Sequence, residues 1–218
     1  MKLFVDTGNI KEIAPLAALG ILDGATTNPS LMAKEGGDPR AIIKSICDLV
    51  QGPVSAEVVA TDADGMIREG RDLAAIDPHV VVKVPFTKAG VAACRTLAAE
   101  GTRVNVTLIF SAAQAWLAAK VGAAYVSPFV GRLDDIGATG MNLIQEIVDL
   151  FGHAGYETEV LVASVRNPIH VIEAGRMGAG VVTCPPSVIE QLFKHPLTDS
   201  GLERFLKDWE QAQGAKKA

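Results

Sequence analysis

Metal and redox signatures are missing from this chain. Its three cysteines, Cys47, Cys94 and Cys184, are far apart and odd in number. With no CxxC or HExxH spacing, neither a disulfide framework nor a zinc centre is supported, and no cofactor is expected. Buried free thiols in a reducing cytosol account for them better. A basic face is missing too. The net charge is −5, and Lys216 and Lys217 are the only adjoining bases, which argues against a nucleic-acid partner. No uncharged apolar run reaches membrane-spanning length, and no signal-peptide core follows the opening KLFVD. A cytoplasmic chain without a membrane partner is the expectation. The phosphate-loop patterns of open doubly wound sheets, GxGxxG and GxxxxGK followed by Ser or Thr, are absent as well.

What is present is alternation. At 218 residues and 49% hydrophobic content the chain can bury a substantial core. Short β-branched runs at 2–6, 24–27, 54–58, 80–84, 103–107, 124–127, 159–163 and 180–183 read as strands. Alanine-rich stretches separate them. Asn9, Asp62 and Ser111 stand where helix N-caps belong, and Gly20, Gly101, Gly122 and Gly178 where C-terminal caps do. Strict strand–helix alternation implies parallel strands joined by crossover helices. About eight units in this length predict a (β/α)₈ TIM barrel, a single domain over 1–218 with no linker, near the lower size limit of that fold. An extra C-terminal helix is expected at about 200–213, with Leu202, Phe205, Leu206 and Trp209 in one stripe. That stripe packs either on its own barrel or on a neighbouring subunit.

The most informative residue lies in HVVVKVPFT, where Lys83 interrupts a run that reads as a buried strand. A lysine there snorkels to solvent, pairs with a carboxylate, or is kept for its amine, since burial favours the neutral, nucleophilic form. Side chains on a strand alternate between faces. If Val80, Val82 and Val84 meet the helices, Lys83 points into the barrel. The same parity turns Asp6 inward in KLFVD, Glu57 in VSAEV, and Asn105 and Thr107 in RVNVT. Ser127 and Phe129 share the parity of Tyr125, and Ser164 follows the seventh strand. Barrel interiors are ordinarily apolar, and catalytic groups gather at the C-terminal strand ends. Two acids, a lysine and several hydrogen-bonding residues there point to chemistry.

Each residue alone has a structural alternative. Asp6 suits a turn or helix cap, and Asn28 in TTNPS suits an Asn-Pro turn. Arg132, in PFVGRLDD, has Asp134 and Asp135 as possible ion-pair partners. Arg166, in SVRNP, suits a strand end. Two arginines on late βα loops also suit a phosphate site.

Taken together, LFVDT, ATTNPSL, VKVPFT, NVTLIFS, SPFVGR and ASVRNP resemble the transaldolases, and most closely the short-chain subfamily that includes fructose-6-phosphate aldolase. The resemblance runs through residues 1–213 in order. It implies a metal-free enzyme that moves dihydroxyacetone between sugar phosphates, taking sedoheptulose 7-phosphate and glyceraldehyde 3-phosphate to erythrose 4-phosphate and fructose 6-phosphate. By resemblance Lys83 forms a Schiff base, Asp6 moves the C4 hydroxyl proton, and Glu57 with Thr107 holds the water used in imine formation and hydrolysis. Thr26, Asn28, Ser30, Asn105, Ser127 and Phe129 would surround the substrate, with Arg132, Ser164 and Arg166 at its phosphate. The aldolases of this subfamily carry Gln where Glu57 stands and Tyr where Phe129 stands, so the resemblance favours the transferase. Fructose-6-phosphate aldolase is the alternative; a catalytically silent binding or assembly barrel is an alternative of another class. A homo-oligomer, pentamer or decamer, with C-terminal helices crossing between subunits, is also implied.

Overall fold

The structure, a computed structural model, describes residues 1–215. Its strands are β1 (Lys2–Asp6), β2 (Gly24–Thr26), β3 (Val54–Glu57), β4 (Val80–Pro85), β5 (Val104–Ile109), β6 (Tyr125–Pro128), β7 (Glu159–Val162) and β8 (Val181–Cys184). They close in sequence order into one barrel, every neighbour parallel and β8 bonded back to β1. After β1 comes α1 (Ile10–Ala18); after β2, α2 (Pro29–Glu35) and α3 (Pro39–Val50). Single helices α4 (Ala63–Ala74), α5 (Lys88–Ala99) and α6 (Ala112–Lys120) follow β3, β4 and β5. β6 is followed by α7 (Val130–Asp134) and α8 (Gly140–Ala154), and β7 by α9 (Pro168–Met177). After β8 come α10 (Pro186–Leu192) and α11 (Pro196–Ala215). The anticipated (β/α)₈ barrel with an added C-terminal helix is the observed architecture.

The local signals behind it are physical ones. Asn9, Asp62 and Ser111 accept from the backbone N–H groups of Lys11, Gly65 and Gln114, satisfying donors that a helix start leaves free. Gly178 ends α9 at φ +84°, a left-handed conformation that glycine adopts without steric cost. Most strand ends fall within a residue of expectation, and two boundaries differ by more for a physical reason. β5 runs on to Ile109 through a register shift in which Leu108 takes φ +59°, a bulge that alternation cannot reveal. α11 begins four residues before Ser200, at Pro196, because proline's fixed φ suits a first helical turn.

Strand parity divides the core in two. Outward residues such as Val5, Ala56, Val82, Val84, Val106 and Val182 pack against the helices. Inward, Phe4, Val81, Tyr125, Leu161 and Val181 form a separate apolar plug. Phe4 and Tyr125 meet edge-on with ring centroids 6.4 Å apart. Above the plug, toward the C-terminal strand ends, the inward side chains turn polar. Leu202, Phe205, Leu206 and Trp209 on α11 stay 55–69% exposed, so their own barrel does not cover them.

Candidate active site

Register brings the polar residues to one level. Glu57 on β3 pairs laterally with Lys83 on β4, and Lys83 with Asn105 on β5. All three project inward above the plug. Lys83 is 5% exposed. Its Nζ lies 3.1 Å from Glu57 Oε2 and donates to the Thr27 carbonyl at 3.1 Å. Of the three readings open from sequence, snorkelling to solvent is thus excluded, and pairing with a carboxylate is observed. Pairing and amine chemistry are compatible, because a carboxylate beside the ammonium is also a place for its proton to go.

Asp6 ends β1 and is not the helix cap; Asn9 fills that role. The Asp6 carboxylate accepts from Thr26 Oγ1 at 2.7 Å, and Thr26 Oγ1 in turn lies 2.6 Å from Thr183 Oγ1. Since the Thr26 hydroxyl hydrogen is spent on Asp6, Thr183 donates to Thr26, forming a relay of one sense. Burial pushes the Asp6 carboxyl above the usual carboxylate range; the Thr26 hydrogen bond and the Lys83 charge only partly oppose this. A carboxyl poised in that way suits proton exchange.

A second network lies beside Lys83. Ser127 Oγ donates to Asn105 Oδ1 at 2.8 Å, and Asn105 Nδ2 donates to Ser55 Oγ at 3.1 Å. The amide is wholly buried and its orientation is fixed from both ends. Thr107 Oγ1, one layer higher on β5, is buried without a hydrogen-bond partner among the described residues. A buried hydroxyl left unpaired is costly unless something else binds it.

These groups line, or lie just beneath, a cavity of about 270 Å³ at the C-terminal strand ends, bounded by Asp6, Lys83, Ser127, Phe129, Arg132 and Arg166 among others. Thr26, Asn28 and Ser164 also line it. Asn28 does double service, because its Oδ1 caps α2 by accepting from Leu31 N–H at 2.9 Å. Glu57 faces a neighbouring cavity of about 620 Å³, which also shares Asn28. Asn105 and Thr107 lie in the barrel wall, and Ser30 sits exposed in the first turn of α2, outside the lining. Ser55 and Thr183 escaped the sequence reading. Ser55 shares inward parity with Glu57 on β3 and Thr183 with Val181 on β8, so extending the alternation along β3 and onto β8 would have found them.

At the rim the two arginines differ. Arg132 stacks over the Phe129 ring at 5.1 Å and makes no ion pair among the described residues. Arg166 pairs with Asp135 at 3.0 Å, so one of the two acids open to Arg132 belongs to Arg166. Asp134 turns instead to Gly140 N–H and to His170. The thiols stand outside this chemistry: all three cysteines are free and buried, and burial pushes Cys94 and Cys184 up to about 12. Among the described residues no group of three or more His, Cys, Asp or Glu is placed to hold a metal ion, and no helix is long and apolar enough to cross a membrane.

Comparison with known proteins bears on this geometry. The family model described as transaldolase/fructose-6-phosphate aldolase matches residues 3–216. A protein of Rhodospirillum centenum named probable transaldolase is 64% identical over 211 residues, covering 96% of this chain and 91% of that one. Another so named, from Syntrophobacter fumaroxidans, is 60% identical over 217 residues, or 98% of each chain. A third, from Methanococcus maripaludis, is 60% identical over 210 residues, 96% of this chain and 98% of its own.

Proposed function

This chain belongs to the transaldolase/fructose-6-phosphate aldolase family, and on that premise we propose that it is a transaldolase carrying a dihydroxyacetone unit as a Schiff base on Lys83. The observation that carries the reading is the buried Lys83 ammonium, held between the Glu57 carboxylate and the Thr27 carbonyl at the level of Asn105. Once its proton passes to Glu57, the amine attacks the ketose C2 carbonyl and water leaves, giving an iminium that draws electrons from C3. Asp6 takes the C4 hydroxyl proton as the C3–C4 bond breaks, and the aldose departs. The enamine then attacks the acceptor aldehyde, whose oxygen receives the proton back from Asp6. Water guided by Glu57 and by the unpartnered Thr107 hydroxyl hydrolyses the new iminium and frees the amine. Asn28, Asn105 and Ser127 hold the dihydroxyacetone hydroxyls, while Arg132, Arg166 and Ser164 hold the phosphate. Thr26 orients Asp6, and Ser30 stands at the entrance.

Transfer, rather than release of free dihydroxyacetone, is supported by Phe129. Its ring sits beneath Arg132 and edge-on to Phe110, centroids 6.0 Å apart, with no hydroxyl to protonate the enamine. The chain works as one domain in the cytoplasm, where its free thiols stay reduced. The uncovered stripe on α11 supports a homo-oligomer, a pentamer or decamer, in which a second copy covers it.

Incubation with fructose 6-phosphate, with and without erythrose 4-phosphate, tests the reaction. Beyond the one equivalent released as the enzyme loads, glyceraldehyde 3-phosphate should keep forming only when the acceptor is present, and borohydride added with fructose 6-phosphate should trap an adduct on Lys83. Free dihydroxyacetone as the main product would identify an aldolase instead. An adduct on Lys88, or none, would overturn the Schiff-base assignment.

A further inference from the structure

His170 joins the two arginine-bearing segments at the cavity rim. It lies on α9, is 8% exposed, and has its backbone N–H fixed by Asn167 Oδ1 at 3.1 Å. Its Nδ1 accepts from Arg166 N–H at 3.3 Å, which leaves the ring proton on Nε2, 3.1 Å from Asp134 Oδ2. Asp134 ends α7, two residues beyond Arg132, and its other oxygen accepts from Gly140 N–H at 2.8 Å. One imidazole therefore accepts from the backbone of Arg166 and lies against the acid that ends the helix carrying Arg132.

The surroundings make this tie consequential. The same segments touch through Gly131 N–H to Ser164 O at 3.1 Å, where Ser164 holds φ +59°, a strained value for a residue with a side chain. A Cβ on Gly131 would lie 2.3 Å from Ser164 O and 2.5 Å from Arg166 Nε, so the approach admits only glycine. A second polar side-chain link is the Arg166–Asp135 pair, whose side chains are 54% and 61% exposed. Ion pairs in that setting contribute little. Among the described residues, His170 is the buried side chain in polar contact with both segments, beside the backbone bonds Val130 N–H to Ala163 O and Gly131 N–H to Ser164 O, both 3.1 Å.

We propose that His170 is a positioning residue for phosphate: it touches no substrate, and it fixes the spacing of Arg132 and Arg166 so that the anion meets a preformed grip. A loop pair ordered beforehand loses less freedom when it binds. The inference rests on reading Arg132 and Arg166 as phosphate ligands.

Substitutions separate the two contacts. His170→Asn keeps an acceptor for Arg166 N–H but falls short of Asp134; His170→Gln reaches Asp134 but loses the acceptor; His170→Phe keeps the ring and removes both. KM and kcat are measured with fructose 6-phosphate and with unphosphorylated fructose, together with inhibition by inorganic phosphate. For His170→Phe, KM for fructose 6-phosphate and the inhibition constant for phosphate should rise about tenfold through lost preorganisation, with kcat and the fructose KM near parent values. The Asn and Gln variants should fall between, and they decide the matter if His170→Phe does not fold. Equal losses on both substrates, or unchanged phosphate inhibition, would overturn the positioning role. Arg132→Ala is the reference: if it leaves phosphate inhibition unchanged, the phosphate-site reading itself fails. If it weakens inhibition while the His170 variants do not, only the inference about His170 fails.

Discussion

The floor and the mouth of the barrel interior use the same strands and the same parity, yet they obey different rules. In the floor, Phe4, Val81, Tyr125, Leu161 and Val181 fill space, and their contribution is burial. Two residues further along β1, β4 and β8, the inward positions become Asp6, Lys83 and Thr183. There each side chain needs a partner, and each partner restricts the next: Thr183 to Thr26 to Asp6, and Glu57 to Lys83. The floor tolerates exchange of one apolar shape for another at modest cost. In the mouth, removing one partner strands the other. Stability is invested in the floor so that strain and charge can be kept in the mouth.

Exchanging the two regions' contributions gives the largest expected effect. Lys83→Met removes the amine, so borohydride trapping should vanish and transfer should fall at least about a thousandfold, since no other group supplies the covalent intermediate. It also leaves the Glu57 carboxylate without its ammonium, and breaking one side of such a pair is destabilising. Adding Glu57→Gln should therefore recover stability, measured by urea denaturation, without recovering activity. Leu161→Ala should do the reverse. A fully buried leucine lost from the floor costs about 2–5 kcal/mol, while turnover per folded molecule should stay close to that of the parent. If Leu161→Ala abolished chemistry and spared stability, floor and mouth would not be separate in function.

Asp6 sharpens the contrast, because at this one position burial and catalysis oppose each other. Its folded pKa is raised, so between its unfolded and folded values the folded chain holds more protons than the unfolded one. Stability contributed by this group is then present at low pH and lost as pH rises through that window. Asp6→Asn should accordingly be more stable than the parent above the window and gain nothing below it, as denaturation midpoints at two pH values would reveal. Activity should move the other way, falling about 10²–10⁴-fold with loss of the proton carrier. In the parent, kcat/KM should decline on the acid side at a pH above the ordinary carboxylate range. A variant that keeps this acid limb would assign it to another group.

Much of this contrast was legible in the chain itself. Alternation alone turned Lys83, Asp6, Glu57, Asn105 and Thr107 inward, because a strand offers only two faces and the valines claimed one of them. It did not reveal who pairs with whom at the rim. Asp134, Asp135, Arg132 and Arg166 lie on two loops whose approach is set by tertiary packing, so sequence left both acids open to Arg132, and neither pairs with it among the described residues. His170 was hidden for the same reason. Nor can periodicity show the left-handed backbone at Leu108 and Ser164, where the local geometry departs from any repeating pattern.

The smallest expected effect concerns Thr107, one layer above Lys83 in the wall of the mouth. Its hydroxyl is buried and unpartnered, so in a chain with no catalytic duty valine would serve better there. Thr107→Val keeps the branched shape and removes the desolvated oxygen, and it should stabilise the fold by about 1 kcal/mol. If the hydroxyl instead anchors the water used in imine formation and hydrolysis, the same change should slow turnover about tenfold, the scale of one displaced hydrogen-bonded contact. The two readouts are independent: urea denaturation reports the first, and the rates of adduct trapping and steady-state transfer report the second. A water-holding role requires both rates to fall together, because water leaves in forming the imine and returns in breaking it. Thr107→Val that gains stability and keeps both rates would place Thr107 with the floor, as packing that happens to carry an oxygen.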